Sequence, residues 1–115
     1  MSRALWKARG IHLVAGALGL MLTGSAIASN AKQVAYGRHL SGECSACHRI
    51  DGVDNGIPSI TGWNPEEFVH TLSFYRNGER NNPAMVSVAQ SLDDDQMKAL
   101  AAYYGSLAKG PRSKK

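Results

Sequence analysis

The pentapeptide Cys-Ser-Ala-Cys-His at residues 44–48 constrains this chain more than any other feature of its 115 residues. Cys44 and Cys47 are the only cysteines, and His48 follows the second one directly. The C-x-x-C-H pattern is typical of c-type haem attachment, because two intervening residues let both sulfurs reach the vinyl groups along one edge of a porphyrin. The imidazole that follows then lies beneath the iron as its proximal ligand. The motif therefore predicts one covalently attached haem c.

Three other chemistries remain open for the same two thiols. A C-x-x-C pair can be a thioredoxin-like redox dithiol, but that interpretation requires a βαβ context that the sequence does not indicate. The pair can be half of a zinc site, but zinc needs four ligands and the chain has no second pair of cysteines. A short structural disulfide is the third alternative.

Residues 1–28 have the features of a secretory signal peptide. Three cations within the first nine residues precede an apolar run over residues 13–22, and Ala-Ile-Ala at residues 26–28 provides a small-residue cleavage site. The apolar run is shorter than the roughly 20 residues that a spanning helix needs, so an uncleaved anchor is the less favoured alternative. We expect export to the periplasm, cleavage after Ala28 and no membrane span in the mature chain.

The charges divide the chain into three parts. Residues 29–108, which we expect to form one domain, carry six Lys and Arg against nine Asp and Glu, a net charge of −3. Residues 109–115 carry four further Lys and Arg, and we expect them to form a flexible basic tail. A nucleic-acid-binding protein would need a basic face on the domain itself. The charge distribution therefore gives no support to nucleic-acid binding.

Capping residues predict where three helices begin. Asn30, Asn64 and Asp93 each precede a stretch in which apolar residues recur at helical spacing. The middle helix is predicted to end near Gly78, and the last to run from about Asp93 to Leu107.

Gly37 lies within the first predicted helix. A glycine there costs about 1 kcal/mol relative to alanine, so its presence indicates that another helix crosses closely at this point. The alternative is an incidental glycine near a helix start.

Residues 49–62 are predicted to form a loop that is unusually rich in isoleucine for a solvated connection. Such a loop suits a segment that curls over the edge of a haem. Pro58 lies ten residues after His48, and its carbonyl oxygen could accept a hydrogen bond from Nδ1 of that histidine, fixing the orientation of the ring. The alternative is a turn proline without any role near iron.

Two methionines compete for the second axial position on the iron. Met97 lies in the same stripe as Leu100 and Tyr104, which is typical of a helix core. Met85 follows a polar, proline-containing loop that can position it independently, so we predict Met85 as the distal ligand. His70 lies off the apolar face of its helix and is predicted to be a solvated surface residue.

Residues 30–108 resemble a small, single-haem class I bacterial cytochrome c. The resemblance rests on five features in order: Gly37-x-x-Leu40, the motif at residues 44–48, Ile57-Pro58-Ser59-Ile60-x-Gly62, Met85, and Leu100-Ala101-Ala102-Tyr103-Tyr104. Residues 74–85 are also similar to the cytochrome subunit of flavocytochrome c sulfide dehydrogenase. Arg49 is a departure, since the family often has glycine after the ligand histidine.

The resemblance implies an all-α class I cytochrome c fold, with three to five helices wrapped around one covalent haem. In that fold the first and last helices cross at a glycine–aromatic contact, which implies that Gly37 and Leu40 meet Leu100 and Tyr103. The family's histidine-supporting proline corresponds to Pro58, and its axial methionine corresponds to Met85.

The implied function is one-electron transfer by a carrier with no catalytic residues of its own. The expected partner is a larger redox protein, and the subfamily similarity implies an FAD-containing sulfide dehydrogenase subunit. The alternatives are a free shuttle to a terminal oxidase or reductase, a haem peroxidase or sensor with an open iron position, and a haem-free thiol–disulfide protein.

Overall fold

The computed structural model describes residues 23–110, which contain five helices and no strand. The helices are α1 (Thr23–Leu40), α2 (Gly42–Ser45), α3 (Pro65–Arg76), α4 (Pro83–Gln90) and α5 (Asp94–Ser106). The all-α fold class is confirmed. Residues 1–22, with most of the predicted signal peptide, and residues 111–115, with most of the predicted basic tail, lie outside the described residues.

Helix α1 begins seven residues before the position indicated by the sequence. The predicted start at Asn30 is wrong, because α1 begins at Thr23 and Asn30 lies inside it. The residues before Asn30 include alanines, which have the highest helix propensity and extend the helix backwards. Residues 26–33 are all exposed, so local backbone preference rather than packing holds this part of α1.

Helix α3 begins and ends where the sequence predicts. The side chain of Asn64 accepts hydrogen bonds from the backbone nitrogens of Glu66 (2.9 Å) and Glu67 (3.2 Å), which satisfies two donors of the first turn. Pro65 takes the first helical position, where no backbone donor is needed. Gly78 follows the last turn with φ of +77°, a conformation that favours glycine and ends the helix.

Helix α5 has the predicted capping box at its start. The carboxylate of Asp93 accepts from the backbone nitrogen of Gln96 at 2.8 Å, and the side chain of Gln96 accepts from the backbone nitrogen of Asp93 at 2.9 Å. The helix therefore starts at Asp94, as its sequence indicates, and carries the largest share of the buried residues.

Helices α1 and α5 cross closely at Gly37. A Cβ atom on Gly37 would lie 1.9 Å from the carbonyl oxygen of Ala99 and 2.8 Å from Cβ of Tyr103. Leu40, one turn later, packs against the buried cluster that contains Leu100 and Tyr103. Since even a methyl group would collide with the α5 backbone, the glycine sets the distance between the two helices.

The buried core is small and is built mainly on one face of α5. Its members are Phe68, Leu72, Ala89, Met97, Leu100, Ala101, Tyr103 and Tyr104. The rings of Phe68 and Tyr104 stack with a centroid distance of 5.8 Å and an interplanar angle of 16°. Met97 is completely buried, in agreement with its predicted place in the helix core.

No helix within residues 23–110 is long and apolar enough to cross a membrane.

We predict that Gly37→Ala lowers the free energy of unfolding by about 1–3 kcal/mol, because the added methyl group overpacks the contact with Ala99. Urea unfolding followed by circular dichroism measures the change. Gly42→Ala is the matched control, since a Cβ at Gly42 would meet no atom within 4 Å. Equal stability of the two variants would contradict the close crossing.

Candidate functional site

The two cysteines lie on and just after the short helix α2. The backbone nitrogen of Ser45 donates to the carbonyl oxygen of Ser41 at 2.9 Å, and the nitrogen of His48 donates to the carbonyl oxygen of Cys44 at 2.8 Å. These bonds curl residues 44–48 into a compact turn. Both thiols are free, with Cys44 half-buried and Cys47 exposed. The pair therefore does not form the short disulfide that the sequence left open.

The imidazole of His48 is oriented by a hydrogen bond from Nδ1 to the carbonyl oxygen of Pro58, with a length of 2.6 Å. A carbonyl oxygen only accepts, so Nδ1 carries the proton, and in the neutral form of such a ring the lone pair is on Nε2. This tautomer leaves Nε2 as the nitrogen available to a metal ion. The contact itself joins the two residues at the spacing that the sequence suggested, and the role of Pro58 towards iron stays a prediction.

The loop after His48 is held by its own side chains. Arg49 forms a two-pronged ion pair with Asp51, in which its Nε lies 3.0 Å from Oδ1. The same carboxylate accepts from the backbone nitrogen of Val53 at 3.0 Å. The bond from Arg49 lowers the pKa of Asp51 to about 2. Arg49, which departs from the family pattern, therefore stabilises the first turn of the loop.

Tyr104 connects α5 to the turn that carries the thiols and to the loop that follows His48. Its hydroxyl lies 2.9 Å from Oγ of Ser45 and donates to the carbonyl oxygen of Ser41 at 3.3 Å. Its backbone oxygen accepts from the nitrogen of Gly62, at the end of the loop, at 2.8 Å. The sequence showed Tyr104 only as part of an apolar stripe, because a hydroxyl that bonds 59 residues away leaves no local signal.

Burial changes the acid–base properties of this region. Desolvation raises the pKa of the Cys44 thiol, although the hydrogen bond from Tyr104 offsets part of the rise. A nucleophilic redox cysteine needs a lowered pKa, since the thiolate is the reactive form. The surroundings of Cys44 therefore disfavour the thioredoxin-like interpretation.

Met85 lies in the first turn of α4 and not at the end of a loop, which corrects the sequence-based placement. Asn82 caps this helix by accepting from the backbone nitrogen of Met85 at 3.2 Å, and Pro83 takes the first helical position. Met85 is half-buried at the edge of the core, whereas Met97 is 0% exposed inside it. Of these two methionines, Met85 is the one with a sulfur-bearing side chain near the surface.

His70, Arg76 and Arg80 each have a partner within the described residues. His70 is exposed, and its ring lies 4.2 Å from that of Phe74. Arg76 pairs with Asp94 at 2.7 Å, and the guanidinium of Arg80 lies 4.9 Å from the ring centroid of Tyr75. These contacts agree with a surface role for all three residues.

The donor set and its apolar surroundings fit a covalently attached haem. Two free thiols lie three positions apart, and the next residue is an imidazole whose Nε2 is available. Ile50 and Ile57, on the loop that carries Pro58, are 53% and 38% exposed. Contiguous apolar side chains at the surface mark ligand sites, and these two isoleucines follow His48 by two and nine residues in the chain. A porphyrin bound at His48 would cover such side chains.

We predict that Tyr104→Phe lowers the free energy of unfolding by about 1–3 kcal/mol, because the Ser41 carbonyl and the Ser45 hydroxyl lose a buried partner. Urea unfolding at neutral pH measures this loss. Tyr103→Phe on the same helix is the control, since the Tyr103 hydroxyl makes no side-chain hydrogen bond within residues 23–110, and it should change the unfolding free energy less.

Tyr104→Phe and Tyr103→Phe also separate the effect of Tyr104 ionisation on stability from the effect of packing. Burial raises the pKa of Tyr104 from its usual value of 10.0 to about 12. A raised folded-state pKa stabilises the protein below pH 10 and the contribution is lost as the pH rises towards 12. Stability should therefore fall over this range, and the fall should be smaller in Tyr104→Phe than in Tyr103→Phe. Identical alkaline profiles would contradict the assignment.

Comparison with known proteins identifies relatives of this site and fold. A family model described as cytochrome C oxidase, cbb3-type, subunit III matches residues 32–103. The cytochrome subunit of sulfide dehydrogenase from Chlorobaculum tepidum is 34% identical over 100 residues, which cover 84% of this chain and 91% of that protein. Cytochrome c-554(548) from Halomonas halodenitrificans is 35% identical over 83 residues, or 66% of this chain and 98% of that protein.

A longer protein is also related. The thiosulfate dehydrogenase electron acceptor from Thiomonas intermedia is 36% identical over 67 residues, which cover 56% of this chain but 31% of that protein. The family model covers more than half of this chain, and the Chlorobaculum relative is similar over most of both lengths. This chain therefore belongs to the cytochrome c family of haem-containing electron carriers.

Proposed function

We propose that this protein carries one electron in the periplasm on a single haem c attached through Cys44 and Cys47. The observation that carries the proposal is the bond between His48 Nδ1 and the Pro58 oxygen, which leaves Nε2 available directly after two free thiols. When bound, the haem supplies one-electron chemistry, since its iron cycles between the ferric and ferrous states. The protein's own residues hold the group and set its surroundings.

His48 acts in this proposal as the proximal axial ligand through Nε2. The Pro58 carbonyl fixes the plane of its ring and increases the basicity of the ligating nitrogen by accepting a hydrogen bond from Nδ1–H. Cys44 is held from the core side by Tyr104 through the turn that contains Ser45. Electron transfer is fast when the atoms around the iron move little between the two redox states. His48 meets this condition, because hydrogen bonds hold both its backbone nitrogen and its ring.

Met85 acts as the second axial ligand. A methionine sulfur favours the ferrous state relative to a second histidine and so raises the reduction potential. The capped start of α4 gives Met85 a fixed backbone, which limits the cost of holding a flexible side chain against iron. Met97 would have to leave a completely buried position to do the same.

The proposed electron donor is the FAD-containing subunit of a sulfide dehydrogenase. Support comes from the Chlorobaculum relative, which is named as a cytochrome subunit of sulfide dehydrogenase and matches over 91% of its own length. A free shuttle is the second candidate, supported by the Halomonas cytochrome, which this chain covers over 98% and whose name mentions no complex. Export rests on the signal-like sequence of residues 1–28 and the cut proposed after Ala28.

We predict that Met85→Ala abolishes the methionine-to-iron charge-transfer band of the oxidised protein, whereas Met97→Leu keeps it. Haem-loaded protein from cells with the cytochrome maturation system provides the spectra, and a haem stain after denaturation tests covalent attachment through Cys44 and Cys47. Both cysteine-to-alanine changes together should remove the stain. A colourless wild type, or a band that survives in Met85→Ala, would overturn the site.

Co-purification separates the two candidate donors. A tagged protein at its natural expression level should elute together with a yellow, FAD-containing partner if it is a subunit. Elution at monomer size without flavin would leave the free shuttle as the function.

A further inference from the structure

The two ends of loop 49–62 meet at a buried neck. Gly52 and Thr61 are both buried, and a Cβ atom on Gly52 would lie 2.6 Å from Oγ1 of Thr61. Pro58, whose carbonyl oxygen accepts the hydrogen bond from His48, lies in the exposed part of the loop between them. The contacts that close the neck therefore also limit how far Pro58 can move away from His48.

Inside the loop, the backbone bonds to side chains of the loop itself. The nitrogen of Gly56 donates to the carboxylate of Asp54 at 2.9 Å, and the nitrogen of Thr61 donates to the hydroxyl of Ser59 at 3.4 Å. These bonds shape local turns and do not attach the loop to a helix. The backbone attachment to α5 comes at the end of the loop, where the nitrogen of Gly62 donates to a carbonyl oxygen of that helix at 2.8 Å.

A C-terminal strap, residues 107–110, lies across the neck. A Cβ atom on Gly52 would lie 2.4 Å from Cα of Gly110, and one on Gly62 would lie 2.8 Å from Cα of Lys109. Both loop glycines have φ in the left-handed region, +76° and +68°. In the other direction, a Cβ atom on Gly110 would lie 2.0 Å from the carbonyl oxygen of Gly52. Contacts this close leave space only for backbone, so the strap touches both ends of the loop.

The strap is anchored to the core where it begins. The nitrogen of Leu107 donates to the carbonyl oxygen of Tyr104 at 3.2 Å, and its side chain packs against the buried core. The same oxygen of Tyr104 accepts from Gly62, which is possible because a carbonyl oxygen has two lone pairs. One backbone oxygen of α5 thus holds the strap and the end of the loop side by side.

We propose that Lys109 and Gly110 are positioning residues that keep loop 49–62 closed and so hold the Pro58 oxygen on His48. The inference rests on the proposed function, because this hydrogen bond orients an iron ligand only if the chain carries a haem. A surface loop opens locally at a free-energy cost that depends on the few contacts that close it. Here the strap supplies such contacts at both ends of the loop, so it sets how often the neck opens.

The test ends the chain on either side of the contact with the loop. A stop after Ala108 removes Lys109 and Gly110 but leaves Leu107 against the core. A stop after Gly110 keeps both contacts and is the control. In the full chain, Gly110→Ala pushes the strap off the loop without moving the chain end. Its control is Gly42→Ala, since a Cβ at Gly42 would meet no atom within 4 Å.

Hydrogen exchange in D₂O, followed by proton NMR of the reduced, haem-loaded protein, measures the opening. The three protons compared are Nδ1–H of His48, the amide of Gly62 and the amide of Leu100, which is buried in α5. The stop after Ala108 should speed exchange of the first two about 10-fold or more and leave the third unchanged, because only the loop opens more often. Gly110→Ala should act in the same direction, since the added methyl group overpacks the contact. Both controls should keep the wild-type rates.

Equal acceleration of all three protons would show a loss of global stability and would overturn the proposal. So would equal exchange rates in the two shortened chains, because the contacts at Lys109 and Gly110 would then not be what closes the loop. If the stop after Ala108 prevents folding, Gly110→Ala against Gly42→Ala decides the matter. Failure of the proposed function is visible separately as a missing haem stain, and exchange of the Gly62 amide tests the strap with or without haem.

Discussion

The phenol of Tyr104 bonds with Ser45 and Ser41, while the backbone oxygen of the same residue accepts from Gly62. One residue on α5 thus ties down the turn with the thiols and the far end of the loop that supports His48. The site depends on this residue staying in place, and it stays because α1 crosses α5 closely at Gly37. A small protein can hold a cofactor in this way without a large core, since a few buried polar contacts fix the segments that touch it.

The chemistry of the thiols and the relatives agree on an electron carrier. Burial raises the pKa of Cys44, which disfavours the thiolate that a redox-active dithiol uses, whereas covalent attachment of a haem would use the sulfurs only as tethers. Nδ1 of His48 is hydrogen-bonded to the Pro58 oxygen, which leaves Nε2 available to a metal ion. Similarity to a cytochrome subunit over most of the chain places the chain in the cytochrome c family.

The sequence predicted those features of the fold that depend on residues close together in the chain. The caps at Asn64 and Asp93 follow from chemistry within one turn of helix. The close approach at Gly37 is a tertiary contact, and it was predicted from the cost of a glycine inside a helix. The start of α4 was missed although Asn82 and Pro83 repeat the pattern of Asn64 and Pro65, so that signal was available. The start of α1 was placed too late, since Asn30 does not begin the helix when the residues before it, among them Ala26 and Ala28, are themselves helical. The role of the Tyr104 hydroxyl depends on a tertiary contact, which the periodicity of apolar residues in the sequence does not reveal.

The exposed beginning of α1 has a consequence for the cleavage that we propose after Ala28. A protease that makes this cut must reach the backbone around Ala28, which lies inside the helix. Since residues 26–33 are all exposed, unwinding these turns requires only the breaking of local backbone bonds. Gly37 and the crossing with α5 lie beyond the segment that must open. If residues 1–28 are the leader that we propose, they can be removed before or after the domain has folded.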